Sequence, residues 1–433
     1  MDQNSIRLFS DDPNVIEEGK TTMRGDGKSL LIYAPVPLHR KDGQLFLEDQ
    51  ARNGLRLWAE NFDHLIVMMP VTDAPMPASW GPLSLVGPTL ERITVVPLPM
   101  AYRPDQFLKH LPAVRRQIRD LIAQADYLSF SIGGLFGDWG SVACSEAWKM
   151  RRSYGVWTDR VESEVVRRSI GQGNWRQNLR ARLYHRPMAA LERQLIRRAA
   201  VGLFHGRETF ETYAPFCSNP QLVHDIHLKK ADHIDPEQLK SKAALAGQGP
   251  LRIVYLGRAD PMKGPHDWVE VLRQVGAAGV DYSATWVGDG SELERMRDQI
   301  ATLGMGERVQ TPGFSKDRSH VLTALREAQI FLFCHKTPES PRCLIEALVS
   351  GTPIVGYDGA FARDLIHDHG GGVLSPLNDI AALARDVIAL AQNPARLSDM
   401  ILRAAQDGAP HDDETVFRHR SKLIRENLSV LTY

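Results

Sequence analysis

The chain has little of what would tie it to an oxidising compartment, a membrane interior or a nucleic acid. Its four cysteines, Cys144, Cys217, Cys334 and Cys343, are scattered without a C-x-x-C pair. That spacing excludes a disulfide framework and a thiolate zinc knuckle, and it fits a reducing cytoplasm. No run approaches the roughly 20 apolar residues of a membrane span, and the polar, acidic beginning holds no apolar stretch of signal-peptide length, so neither export nor integral insertion is expected. Neither sign of charge is in excess, with 52 Lys and Arg against 52 Asp and Glu, so no global field draws the chain to nucleic acid. A G-x-G-x-x-G fingerprint is missing after the first strand of either half, which argues against a dinucleotide-dependent oxidoreductase. An Asp-x-Asp pair at a strand end and a His/Cys cluster with ligand spacing are missing too, so no metal or other cofactor is expected.

What is present is an α/β chain. At 433 residues it exceeds the size at which one core stops growing, and two domains are the first expectation. Short β-rich apolar runs alternate with longer segments of helical spacing, the pattern of parallel strands joined by crossover helices. In the first half, strands are expected at 30–35, 64–69, 93–97, 127–132, 155–158, 201–205 and 222–226, with helices over 44–60 and 113–125. A second series follows, with strands at 251–256, 283–287, 309–311, 330–334, 353–357 and 372–374 and helices between them. The boundaries read as a polar segment 1–27, a first Rossmann-like domain 28–230, a polar linker 231–249, a second Rossmann-like domain 250–414, and a C-terminal helix 415–433 crossing back toward the first domain. Ligands of open α/β sheets sit at the carboxyl ends of the strands, so a cleft between the two domains is the expected site.

Two motifs carry chemistry. Gly257 and Arg258, followed by Lys263 and Gly264, come directly after the strand 251–256. Gly257 bares the backbone at the strand end, while Arg258 and Lys263 bring two cations to one loop, which a diphosphate needs. A solvated basic loop is the plainer alternative. The second motif runs His335-Lys336-Thr337-Pro338-Glu339-Ser340-Pro341-Arg342-Cys343-Leu344-Ile345-Glu346 from a strand end into a helix. Ser340 suits the N-cap and Pro341 the first helical position, so free N–H groups at this end would face a phosphate. Glu339 can accept hydrogen bonds from sugar hydroxyls, and Glu346, seven residues on, returns to the same face after nearly two turns. Their alternatives are a carboxylate at the helix dipole and a surface acid.

Together with Gly288-Asp289-Gly290 after the second strand and Ser350-Gly351-Thr352-Pro353 after the helix that bears Glu346, these motifs resemble glycosyltransferase family 4, whose members are retaining enzymes of the GT-B fold. The resemblance runs closely from about 251 to 379 and only in architecture before that. It implies two Rossmann-like domains facing across a cleft, a nucleoside diphosphate sugar as donor, diphosphate contacts from Arg258 and Lys263, Glu339 at the transferring sugar and Glu346 at the ribose. Gly288 falls among the donor-binding positions, and Arg342 is an added cation near the expected phosphates. Six residues separate the two glutamates where the family has seven, and Ser340-Pro341-Arg342 stands where it has Gly and Phe.

The first half offers less. Where many members carry a His, the sequence reads Ser131-Ile132-Gly133-Gly134-Leu135-Phe136-Gly137-Asp138. Asp138 is the candidate for an acceptor or donor hydroxyl, the alternative being a loop-capping aspartate. Asp159, at the next strand end, is a weaker candidate of the same kind. Gly43, in Asp42-Gly43-Gln44 at an expected helix start, occupies a position similar to a family turn that approaches the donor phosphates, with simple local geometry as its alternative. From Arg167 onward run Arg168, Arg176, Arg180, Arg182, Arg186, Arg193, Arg197 and Arg198, interleaved with Trp175, Leu179, Leu183 and Tyr184. A basic, aromatic-bearing amphipathic surface suits an anionic bilayer, and a solvated helical face is its alternative. The expectation is therefore a cytoplasmic, metal-independent hexosyltransferase of cell-surface polysaccharide synthesis, peripheral to the inner membrane face, with a glycan or lipid-linked acceptor. A non-catalytic scaffold that binds nucleotide sugar is the alternative from another class.

Overall fold

A computed structural model describes residues 28–76, 80–171, 174–224, 228–337 and 341–429. The chain divides into two compact units, one formed by Met1–Asp225 with Val416–Tyr433 and the other by Ile226–Thr415.

In the first unit the strands are β1 (Ser29–Tyr33), β2 (Leu38–Lys41), β3 (Gln44–Glu48), β4 (His64–Thr72), β5 (Trp80–Pro82), β6 (Ile93–Pro99), β7 (Tyr127–Ser131), β8 (Gly155–Thr158), β9 (Val201–His205) and β10 (Pro220–Val223). They form one sheet in the order β10-β9-β8-β7-β1-β4-β2-β3-β5, with β6 also paired to β4. The helices are α1 (Asp49–Asn61), α2 (Pro104–Gln124), α3 (Trp139–Lys149), α4 (Glu162–Arg168), α5 (Trp175–Arg198) and α6 (Gly206–Tyr213). Strand side chains alternate between two cores as the pleat demands. Leu31 and Tyr33 join Ile118, Trp139 and Ile196 on one face, while Leu30 and Ile32 join Leu55 and Trp58 on the other. The sheet is parallel through β1, β4, β6 and β7–β10, so its strands are apolar almost throughout.

The first α-helix of the second unit is α7 (Pro236–Ala244), so the polar stretch 231–249 is more than a bare connection. Asp235 caps this helix, and Lys242, buried, donates to the carbonyls of Leu325 and Ser350 and to Thr352 Oγ1. A lysine so enclosed reads as polar in sequence and as packed in structure. The strands β11 (Leu251–Leu256), β12 (Tyr282–Val287), β13 (Val309–Gly313), β14 (Ile330–Phe333), β15 (Ile354–Tyr357) and β16 (Gly372–Ser375) form a parallel sheet ordered β13-β12-β11-β14-β15-β16. Around it lie α8 (Pro265–Ala277), α9 (Leu293–Thr302), α10 (Arg318–Glu327), α11 (Arg342–Val349), α12 (Ala360–Leu365), α13 (Ile380–Ala391) and α14 (Pro394–Gly408). The strand order reverses between β11 and β14, the switch point beside which open sheets of this kind bind their ligands.

The last helix, α15 (Asp413–Asn427), straddles the boundary between the units. From Val416 onward it belongs to the first unit, where Phe417, Leu423, Ile424 and Leu428 complete the core over β1 and β4. The Phe417 ring meets Trp58 edge-on at 5.0 Å, and Arg425 donates to the carbonyl of Asn61.

One expected element differs outright. Asp42 and Gly43, with φ of 51° and 73°, form the two-residue turn of a β2–β3 hairpin, and β3 precedes the helix expected over 44–60. An Asp-Gly pair accepts the left-handed dihedrals of a hairpin turn, and that preference outweighs the helical spacing. A Cβ on Gly43 would meet no protein atom within 4 Å, so among the protein's own groups it is the positive φ of the turn that favours glycine here.

Candidate functional site

The carboxyl ends of β11, β12 and β14 are drawn together by glycine. Gly257 N–H donates to the Val287 carbonyl and Ala259 N–H to that of Asp289, which laces the loop after β11 to the loop after β12. Gly288, at φ 155°, lies so close that a Cβ there would overlap the Gly257 carbonyl oxygen, and a Cβ on Gly290 would come within 2.6 Å of the Ala259 backbone. Gly264, at φ 63°, stands at the N-cap of α8 and abuts the Cys334 carbonyl, while Lys336 N–H donates to the Met262 carbonyl at 2.8 Å. The loops after β11 and β14 are thereby zipped together at the switch point.

These loops carry the predicted cations. Arg258 is 73% exposed, and its guanidinium reaches Asp260 Oδ2 at 3.1 Å. Asp260 Oδ1 in turn accepts from the Ser291 N–H and hydroxyl, so this carboxylate ties the arginine to the loop after β12. Lys263, half-buried in the next turn, acts electrostatically on His335. His335 is buried beside the rings of Tyr255 and Phe333 and shares a hydrogen bond with Tyr255 Oη at 2.8 Å. Burial, aided by the Lys263 charge, pushes its imidazole down to about 3, so it is neutral at physiological pH. Lys336 pairs with Asp267 at 2.8 Å, and Tyr357 donates to the other oxygen of that carboxylate at 2.7 Å.

The helix α11 begins at Arg342 with Pro341 at the N-cap, one residue later than expected, because the proline adopts an extended ψ of 119°. Glu339 and Ser340 lie outside the described residues. Arg342 is exposed at the first turn. Glu346, further along α11, keeps only 15% of its side chain exposed, and Arg318 Nη1 lies 3.3 Å from its Oε1. Sequence reasoning missed Arg318, Asp260 and Tyr255. Tyr255 was visible as a polar-tipped residue closing an apolar strand, whereas nothing in spacing links Arg318 to Glu346.

In the first unit Asp138 is a cap. Its Oδ1 accepts from Gly140 and Ser141 N–H at the start of α3, and its Oδ2 accepts from Gly133 and Gly134 N–H and from the Ser141 hydroxyl. The carboxylate is buried, burial pushes its pKa up, and its five donors are all loop or helix-start groups. This is the capping alternative: every donor the carboxylate meets belongs to its own loop or to the start of α3. Asp159 is exposed just after β8. Among the described residues no group of three or more His, Cys, Asp and Glu is arranged to hold a metal ion.

On α5, Trp175, Leu179 and Leu183 are 70%, 49% and 61% exposed. Four-residue spacing puts them in one stripe, flanked by exposed Arg176, Arg180, Arg182 and Arg186. The outer arginines of the predicted basic segment are engaged elsewhere. Arg167 pairs with Glu164 and Arg168 with Glu208, Arg193 and Arg197 lie over the Phe216 ring, and Arg198 lies over Trp148. No helix among the described residues is long and apolar enough to cross a membrane.

Residues 237–407 match the family described as Glycosyl transferases group 1. The chain is 30% identical over 217 residues to the 2-deoxystreptamine N-acetyl-D-glucosaminyltransferase of Streptomyces fradiae, a match spanning 47% of this chain and 50% of that one. It is 28% identical over 200 residues to the putative colanic acid biosynthesis glycosyltransferase WcaL of Escherichia coli, spanning 44% and 49%. The chain thus spans about half the length of these curated relatives. In three dimensions it superposes on Anabaena HepE, solved in complex with UDP, with a TM-score of 0.59 at 16% identity over 92% of this chain and 99% of that one. That likeness shows the fold, which is GT-B.

Proposed function

We propose that this chain of the GT-B fold, whose residues 237–407 match the group 1 glycosyl transferases, transfers a sugar from a nucleoside diphosphate sugar to a hydroxyl of a glycan or lipid-linked glycan in polysaccharide synthesis. One observation carries this reading. At the switch point of the second sheet, glycine-bared strand ends meet two cations, Arg258 and Lys263, with Glu346 on the helix that follows β14. Two phosphates offer anionic oxygens to the cations and to N–H groups at the start of α11, and a ribose offers hydroxyls to Glu346.

In this reading the bond between the anomeric carbon and the diphosphate oxygen breaks and the acceptor oxygen takes its place with retained configuration. The acceptor's proton leaves with the diphosphate. Arg258, Lys263 and, from the start of α11, Arg342 counter the charge that grows on the leaving group, so the reaction is metal-independent. Burial keeps His335 neutral, so it adds no charge beside Lys263. The names of the relatives and the complex of HepE with UDP support the donor class.

Acceptor access is assigned to the first unit. The exposed basic and apolar stripe of α5 suits the anionic inner face of the cytoplasmic membrane, where a lipid-linked acceptor would lie. Release of nucleoside diphosphate across a panel of UDP-, GDP-, ADP- and CDP-sugars, with and without lipid-linked acceptors, tests the whole. Turnover that falls at least tenfold in Arg258→Ala is the expected result. Donor binding with no turnover under any acceptor would instead mark a nucleotide-sugar-binding scaffold.

A further inference from the structure

Glu346 is held by a residue that lies far from it in sequence. Arg318, the first residue of α10, places Nη1 3.3 Å from Glu346 Oε1 and Nη2 2.8 Å from Asp232 Oδ2. Asp232 is itself fixed. Its Oδ2 accepts from Lys229 N–H at 2.9 Å, and its carbonyl and that of His233 accept from Arg326 Nη2 at 3.0 and 3.3 Å. At the other end of the same turn, the Leu228 carbonyl accepts from Asp413 N–H at 2.8 Å. The turn 228–233 is therefore a braced anchor, and Arg318 runs from it to the carboxylate on α11.

The electrostatics agree with a bridge rather than a chance surface pair. Two carboxylates that share one guanidinium would repel each other without it, and both are mostly shielded from water, with 12% and 15% of their side chains exposed. Despite the opposing effect of burial, the Arg318 hydrogen bond helps hold the Asp232 carboxyl below its usual range, and its two acidic partners raise the guanidinium of Arg318. A forked guanidinium fits this task and an ammonium does not, since only the fork reaches two carboxylates in fixed directions.

We propose that Arg318 is a positioning residue for donor recognition. It holds Glu346 Oε1 so that Oε2 is presented to the ligand's ribose hydroxyls, with Asp232 as its anchor. The inference rests on the donor reading of Glu346 given above. Losing the alignment of a hydroxyl–carboxylate hydrogen bond costs about tenfold or more in affinity.

The test uses the full chain and the nucleoside diphosphate that raises the wild-type melting temperature most, chosen from UDP, GDP, ADP and CDP. Kd is measured for Arg318→Met, Arg318→Lys, Glu346→Gln and the double variant Arg318→Met/Glu346→Gln, with the unliganded melting temperature of each as a check on folding. The proposal expects Kd to rise about tenfold in Arg318→Met and less in Arg318→Lys. It also expects the double variant to match Glu346→Gln alone, because a positioning residue has nothing left to position. A wild-type Kd in Arg318→Met, or effects that multiply in the double variant, overturns the inference while leaving the donor reading intact. Wild-type affinity in Glu346→Gln overturns the donor role of Glu346 itself, and this inference with it.

Discussion

Replacing Arg182 and Arg186 by Gln should release the protein from anionic bilayers without unfolding it. Both arginines are exposed on α5 and flank the stripe of Trp175, Leu179 and Leu183. Each Arg near an anionic surface contributes about 1 kcal/mol, so the four arginines at 176, 180, 182 and 186 contribute about 4 kcal/mol, and the double variant loses about 2 kcal/mol. At about 1.4 kcal/mol per decade, that is a drop of about thirtyfold in the vesicle partition coefficient. Co-sedimentation with phosphatidylcholine vesicles, with and without phosphatidylglycerol, measures it. Raising salt to 1 M, where the screening length falls to about 3 Å, should produce a larger loss in the wild type, up to about 4 kcal/mol, because all four arginines are screened. Melting should hardly change, since an exposed helical Arg and Gln have similar helix propensities. Equal partition of wild type and variant, or equal binding to neutral and anionic vesicles, would refute the argument and leave the stripe a solvated face.

Two further predictions concern the second unit. Gly288→Ala should destabilise the fold by at least about 2 kcal/mol and lower its melting temperature, because the added methyl overlaps the Gly257 carbonyl and the backbone sits at φ 155°; an unchanged melting curve would contradict the loop geometry. His335 makes stability depend on pH. Its folded pKa of about 3 lies below its ordinary value of 6.5, so the unfolded chain binds the proton first as pH falls. Its contribution is present in full above pH 6.5 and is lost toward pH 3, at up to about 1.4 kcal/mol per unit, and His335→Asn should flatten that limb in denaturant titrations run from pH 7 to pH 4.

The strands were largely legible because parallel strands covered on both faces are short apolar runs between punctuating glycines, and β9 and β11 fall at the expected residues. The hairpin at Asp42-Gly43 was misread because a local turn preference overrode a helical apolar spacing. Helix α7 was read as linker since its buried lysine counts as polar until its three acceptors are seen. In the candidate site, sequence adjacency carried over into space: Gly257, Arg258 and Lys263 share the loop after β11. What periodicity could not supply were couplings across elements, such as Asp260 to Ser291 or Arg318 to both Asp232 and Glu346, because these depend on how loops from different strands meet.

Asp138 shows how burial and donor count separate a structural carboxylate from a catalytic one. A side chain that binds an acceptor must keep a lone pair directed at it, yet both oxygens of Asp138 already take two backbone N–H groups each, and Oδ2 also takes the Ser141 hydroxyl. The loop depends on this closure. Gly140 lets α3 start against the Ser131 carbonyl and the Tyr33 ring, so the chain from 132 to 140 turns in a space that only a compact acceptor can fill. Asp138→Asn turns an amide N–H group toward N–H groups and should cost at least about 2 kcal/mol, and Asp138→Ala, which strands several buried donors, at least about 3 kcal/mol. Both losses appear in denaturant titrations whether or not substrate is added. Were the side chain instead to contact the acceptor, Asp138→Asn would melt like the wild type while its turnover fell a hundredfold or more, and that pairing of results would overturn the assignment.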